Sequence, residues 1–238
     1  MATTEITLIG NEGFRIVSGS FCILIDAFYS PIPHVAGAPS TDASLVARAD
    51  LILVTHAHPD HFSAGAVAEA AKRTGATVVG PAAVVEALRR RVAPEKLIEM
   101  EPAKAAKGQA ALGMSVMLPP AVVRAYRTFH GQEHNSYLVE LPGFRFFHDG
   151  DNEDTRRIPR EDLARLDALL IGPWQGSGWV EFIETVRPSH WFLIHLANEE
   201  LEQHEAGKFL PEICDRVPAG LTVLRPGQSF VFKGDPPC

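Results

Sequence analysis

The chain has 238 residues, enough for one large domain or two modest ones with a sizeable apolar core. Its formal net charge of −7 argues against a general nucleic-acid binder. Its three cysteines, Cys22, Cys214 and Cys238, are odd in number and lack C-x-x-C spacing, which argues against a disulfide framework and against a thiolate zinc finger.

Short strand-like runs open the chain at 5–10, 14–18 and 21–26, with Asn11-Glu12-Gly13 and Gly19-Ser20 as turns, the pattern of a β-meander. A Pro- and Gly-rich loop spans 30–40, and Asp42 is read as the cap of a short helix ending near Ala49. Residues 51–54 form a buried strand, and Ser63 caps a helix over 64–73 that Gly75 closes. A strand at 77–79 follows, then a helix opened by Pro81 and running to about Val92. Arg89-Arg90-Arg91 near its end reads as a solvated basic face. Further strands are expected at 97–100, 111–118, 122–129, 137–141, 144–148, 168–171, 191–194, 222–224 and 230–232. Helices are expected at 161–165, 179–186 and 199–209. Many strands with helices spread among them imply an α/β protein with sheet inside and helices outside.

One segment stands out. Thr55-His56-Ala57-His58-Pro59-Asp60-His61 sets three imidazoles and a carboxylate directly after an apolar strand. If the chain stays extended, residues 56, 58 and 60 point one way, because strand side chains alternate. Pro59 holds His58 out of the helical region, and His61 breaks the alternation. Imidazole and carboxylate together suit zinc, manganese or iron.

Other donors follow strand-like runs: His130, with His134 four residues on; Asp149-Gly150-Asp151; and His195. Each alone is an ordinary loop residue. Their number and order, taken with 55–61, point to a metal site.

These segments resemble the metallo-β-lactamase superfamily, whose signature is H-x-H-x-D-H, here His56 to His61. More narrowly, the chain looks like the branch that contains ascorbate-6-phosphate lactonase and "metal-dependent hydrolases". The supporting runs are 8–16, 23–26, 49–56, 137–140, 147–151 and 188–195. The resemblance implies a four-layer αββα sandwich. It implies two divalent metal ions, zinc first and manganese or iron as alternatives. His56, His58 and His130 would hold one, with His134 the alternative third histidine. Asp60, His61 and His195 would hold the other, and Asp151, rather than Asp149, would bridge them. Asn11 and Ala27 depart from the branch, which often has His and Pro there.

The implied activity is a metal-dependent hydrolase whose metal-bound hydroxide attacks a small ester, lactone or phosphodiester, with Asp60 orienting the hydroxide or moving its proton. A metal-dependent nuclease and a non-catalytic metal-containing sensor or scaffold are the alternatives. His148 is weighed as a neighbour of the metal ligands, and the loops 31–34 and 173–179 as pocket walls or core packing. His34 and His190 are read as structural or solvated. No linker or repeat marks a boundary, so residues 1–238 are expected to form one domain. The N-terminus lacks a secretory pattern and no apolar stretch approaches membrane length, so a cytoplasmic protein acting on a small molecule is expected, with neither membrane nor nucleic acid as partner. Oligomeric state is not legible.

Overall fold

The structure is a computed structural model, which describes residues 3–29, 43–106, 108–131, 133–172 and 178–233. The chain divides into two compact units, Met1–Met100 with Leu224–Cys238, and Glu101–Val223. Each holds one seven-stranded sheet.

In the first unit β1 (Thr4–Gly10), β2 (Gly13–Ser18) and β3 (Phe21–Ile25) form the expected antiparallel meander. Next come β4 (Leu51–Leu53), α1 (Ala64–Thr74), β5 (Thr77–Gly80), α2 (Ala82–Leu88) and β6 (Leu97–Glu99). Strands β3 to β6 run parallel; α1 carries the chain from β4 back to the start of β5, and α2 from β5 to the start of β6. The last strand among the described residues, Ser229–Phe232, pairs with the outer side of β1.

The helices bury one face of this sheet. Leu24, Ile52 and Val78 are side-by-side partners on β3, β4 and β5. They pack with Val67, Ala70 and Ala71 of α1 and with Val84 and Leu88 of α2. Small alanines on α1 let its backbone lie close, and burying each large aliphatic side chain contributes about 1.5–3 kcal/mol. Ser63 sits in extended geometry before α1 but makes no side-chain cap, while Gly75 closes the helix in the left-handed conformation at φ 75°. Pro81 precedes α2 as its N-cap residue rather than its first helical residue.

The second unit repeats the plan. β7 (Gly113–Leu118), β8 (Ala121–Arg127), β9 (Asn135–Leu141) and β10 (Phe144–His148) are antiparallel neighbours. β11 (Ala168–Ile171), α3 (Trp179–Val186), β12 (His190–Leu193), α4 (Asn198–Glu205), α5 (Phe209–Ile213) and β13 (Leu221–Thr222) follow, with β10 to β13 parallel. With Ser229–Phe232 as β14, the orders are β14-β1-β2-β3-β4-β5-β6 and β7-β8-β9-β10-β11-β12-β13. Each is four strands in antiparallel succession and then three added in parallel, a repeat of topology that the sequence does not display.

Four expected helices differ, one being α2, which ends at Leu88 rather than near Val92. Residues 43–46 form turns rather than a helix, with Asp42 outside the described residues, and residues 161–165 are also turns. The helix expected over 199–209 breaks in two at Gly207, which adopts φ 70°. Arg89 is exposed and paired with Glu86 and Glu99, as a solvated face requires. Among the described residues no helix is long and apolar enough to cross a membrane.

Candidate metal centre

In open α/β sheets, ligands bind beyond the carboxyl ends of the parallel strands. The candidate donors lie there in both units: Asp26 after β3, the 55–61 segment after β4, His148 to Asp151 after β10, and His195 after β12.

In the first unit the loop after β4 is tied down along its length. The Asp26 N–H donates to Leu53 O at 3.1 Å and the Ser63 N–H to Phe28 O at 2.7 Å. His58 O accepts the N–H groups of His61 at 3.0 Å and Phe62 at 2.8 Å, so residues 58–61 form a turn. The alternation expected through residue 60 therefore ends at His58. His56 Nε2 and His58 Nδ1 stand 2.8 Å apart. The turn brings Asp60 Oδ2 to 3.3 Å from His61 Nε2 and the His61 ring to 4.1 Å from that of His56. Asn11, at φ 52° in the β1–β2 turn, donates its Nδ2–H to Asp60 O at 3.2 Å.

Two buried carboxylates, neither of them among the expected donors, organise this loop. Asp26 accepts the Thr55 N–H at 2.8 Å and the Thr55 hydroxyl at 2.5 Å. That hydroxyl, its proton committed, accepts from His56 Nδ1 at 3.0 Å, which leaves His56 Nε2 with its lone pair. Glu12 Oε1 lies 2.9 Å and Asp26 Oδ2 3.2 Å from His61 Nδ1, which places the proton on Nδ1 and the lone pair on Nε2. Carboxylates in this position orient ligating histidines and raise their basicity. Asp26 holds φ 43°, an uncommon conformation outside glycine that these three contacts and its own N–H bond to Leu53 O maintain. A Cβ on Gly13 would meet Asp26 O at 2.5 Å, so the chain needs glycine there.

In the second unit two backbone ties hold the donor segments side by side. The Phe129 N–H donates to Asn152 Oδ1 at 3.1 Å and the Glu153 N–H to Phe129 O at 2.8 Å. The Asp151 carboxylate then faces two imidazoles: Oδ1 lies 3.3 Å from His195 Nε2, and Oδ2 lies 3.9 Å from His130 Nε2. His195 takes φ 61° to reach this position. His134 is fully buried and already engaged, because its Nε2 accepts the Asp151 N–H at 3.0 Å and its Nδ1 lies 2.6 Å from Thr128 Oγ1.

Asp149 matches Asp26 in place. Each follows the fourth strand of its sheet order, each donates its N–H across to the next strand (Leu53 O, Leu170 O), and each accepts a threonine hydroxyl. Asp149 accepts from Ser136, Asn152 and Thr155, yet burial outweighs these three donors and pushes its carboxyl up to about 7. His148 is fully buried at the end of β10.

A cavity of about 180 Å³ opens on these donors, lined by His130, Asp151, Asn152, Glu153 and His195 with Gly150 and Gly172. Trp179 is buried with its ring 5.8 Å from that of Trp191, so it packs in the core rather than lining a pocket. Residues 31–34 and 173–177 lie outside the described residues.

The donors fit a divalent cation. With metal–nitrogen and metal–oxygen bonds of about 2.0–2.2 Å, neighbouring tetrahedral ligand atoms stand roughly 3.4 Å apart. The four pairs measured within the units are separated by 2.8, 3.3, 3.3 and 3.9 Å.

Residues 22–212 match the Beta-lactamase superfamily domain. The chain belongs to the metallo-β-lactamase superfamily. It is 34% identical to the UPF0173 metal-dependent hydrolase PF1764 of Pyrococcus furiosus, covering 95% of this chain and 98% of the relative. It is 30% identical to a UPF0173 metal-dependent hydrolase of Nitratidesulfovibrio vulgaris, over 96% and 95%. Among solved structures it is similar to Igni18, a metallo hydrolase from the archaeon Ignicoccus hospitalis. The TM-score is 0.68 at 17% identity, covering 98% of this chain and all of the other, a likeness of fold. The mixed α/β fold with two sheets is that of the metallo-β-lactamase superfamily. Within it, these relatives set the chain among the metal-dependent hydrolases.

Proposed function

We propose that the chain hydrolyses a small ester, lactone or phosphodiester at a dinuclear metal centre. The observation that carries this reading is Asp151, whose two carboxylate oxygens face two different imidazoles, the disposition of a bridging ligand. In this reading His56, His58 and His130 hold one cation and Asp60, His61 and His195 the other. Zinc is the leading choice, since every donor is imidazole or carboxylate; manganese and iron accept the same set. Bound there, the cations supply a water of lowered pKa and a polarising charge at the oxygen that gains electrons.

The chain's own residues set up the rest. Asp26 and Glu12 keep the lone pairs of His56 and His61 on Nε2. Asn11 holds the Asp60 main chain, so that the partly exposed Asp60 carboxylate, with Oδ2 beside His61 as the donor to the cation, can take up and pass on a proton at Oδ1. The cavity beside Asp151 suits a small substrate better than a polymer.

The test combines elemental analysis of the purified protein with a panel of esters, lactones and phosphodiesters, run with zinc and with manganese. Two metal ions per chain and hydrolysis that a chelator abolishes and metal restores are expected. Hydrolysis that survives complete metal removal would overturn the reading.

A further inference from the structure

Beside the cavity at Asp151 the second unit holds a smaller pocket of about 30 Å³, and Asn152 lines both. That space takes on the order of two waters, the scale of one oxyanion group rather than a whole substrate. Its lining is cationic: Lys104, Arg127 and Arg157, with Phe129 and Asp154. The negative charge nearby is already engaged. Glu101 and Glu133 pair with Arg127 at 2.6 and 3.8 Å, and Asp154 pairs with Arg156 at 2.8 Å. Arg157 bonds a main-chain oxygen, that of Ala106, at 3.4 Å. Lys104 is exposed. Phe129, 54% exposed, adds an apolar wall immediately before His130.

We propose that this pocket binds the carboxylate or phosphate group of an anionic substrate through Lys104 and Arg157 while the scissile bond lies in the cavity at Asp151. The proposal rests on the hydrolase reading above and narrows it to substrates that carry an oxyanion a short distance from the bond that breaks. Guanidinium and ammonium donors grip oxyanions through charge-assisted hydrogen bonds. Asn152 fixes the spacing, since its side chain ties the Phe129 main chain on one side and its own main chain follows Asp151 on the other.

The test uses metal-loaded full-length protein and three matched 4-nitrophenyl esters whose acyl chains end in a methyl group, a carboxylate or a phosphate. Lys104→Ala and Arg157→Gln are each expected to lower the ratio of kcat/KM for a charged ester to that for the neutral one by about tenfold or more. Calorimetric titration with inorganic phosphate and with acetate should show the same loss of affinity in both variants. Preference for the carboxylate or the phosphate ester identifies which oxyanion the pocket takes. Hydrolysis of all three esters at ratios unmoved by either variant overturns the pocket and leaves the hydrolase reading standing. Anion binding that the variants weaken, with no ester hydrolysed, keeps the pocket and overturns ester hydrolysis. Absence of both overturns the pocket and ester hydrolysis. Lys104 is exposed, so its variant keeps the test independent of folding.

Discussion

Nε2 of His134 accepts the backbone N–H of Asp151 at 3.0 Å. A nitrogen so used holds the carboxylate segment in place and has no lone pair left for a cation. His130, whose Nε2 faces the Asp151 carboxylate, is then the third histidine of the proposed centre. His130→Ala is expected to lose one bound metal and hydrolysis together. His134→Ala should keep both metals at saturation but bind them about 10–100-fold more weakly, as loss of a supporting group does. Metal content and chelator competition on the two variants check this; identical behaviour would contradict it.

Asp26→Asn keeps the volume of a buried carboxylate but removes the charge that receives Thr55 and His61. Metal affinity should fall about 10–100-fold, and the melting temperature of the metal-free protein should fall as well, since the substituted amide sets an N–H against those donors. Chelator competition and thermal unfolding measure the two effects.

Gly13→Ala places a methyl group 2.5 Å from Asp26 O and 3.1 Å from Gly10 O. Both obstacles are backbone, so the β1–β2 turn must shift. A loss of about 1–3 kcal/mol in unfolding free energy is expected from denaturant titration. Gly65, whose Cβ would meet nothing within 4 Å, is the control, and Gly65→Ala should not destabilise.

Asp149 gives a pH signature. Burial raises its carboxyl to about 7, above the range near 4 of an unfolded chain. Between those values the folded metal-free protein holds a proton that the unfolded chain has released. Its contribution to stability therefore falls as pH rises from about 4 to about 7 and is level above that. Asp149→Asn should flatten that part of the profile in urea titrations at several pH values. Profiles that change by the same amount through this window in the wild type and the variant would contradict the assignment.

The meander, the alternation from β4 to α2 and the H-x-H-x-D-H loop were legible because short apolar runs were separated by strong turn residues. The segment 161–165 departs from the expected helix because it turns without extending, and 199–209 because Gly207 interrupts a polar helix. Asp26 was within reach: it follows the apolar run Ile23-Leu24-Ile25, as His195 follows Trp191 to Ile194. Glu12 was not, because nothing in Asn11-Glu12-Gly13 distinguishes a hairpin glutamate that folds inward from one that faces water. The choice between His130 and His134 turned on a hydrogen bond to a main-chain N–H, which residue spacing does not encode.

The pairing of β14 with β1 has a consequence for synthesis. The first strand of the chain is joined by a partner more than two hundred residues later, through the register Thr4↔Phe232 to Thr7↔Ser229. As the chain leaves the ribosome, every strand of the second sheet emerges before that partner does. Until then β1 presents a bare edge, with the histidine loop already made but its sheet one strand short. The nascent protein is thus exposed to mispairing at a segment made long before its partner, and a chain cut before Ser229 should be captured by chaperones or aggregate rather than fold.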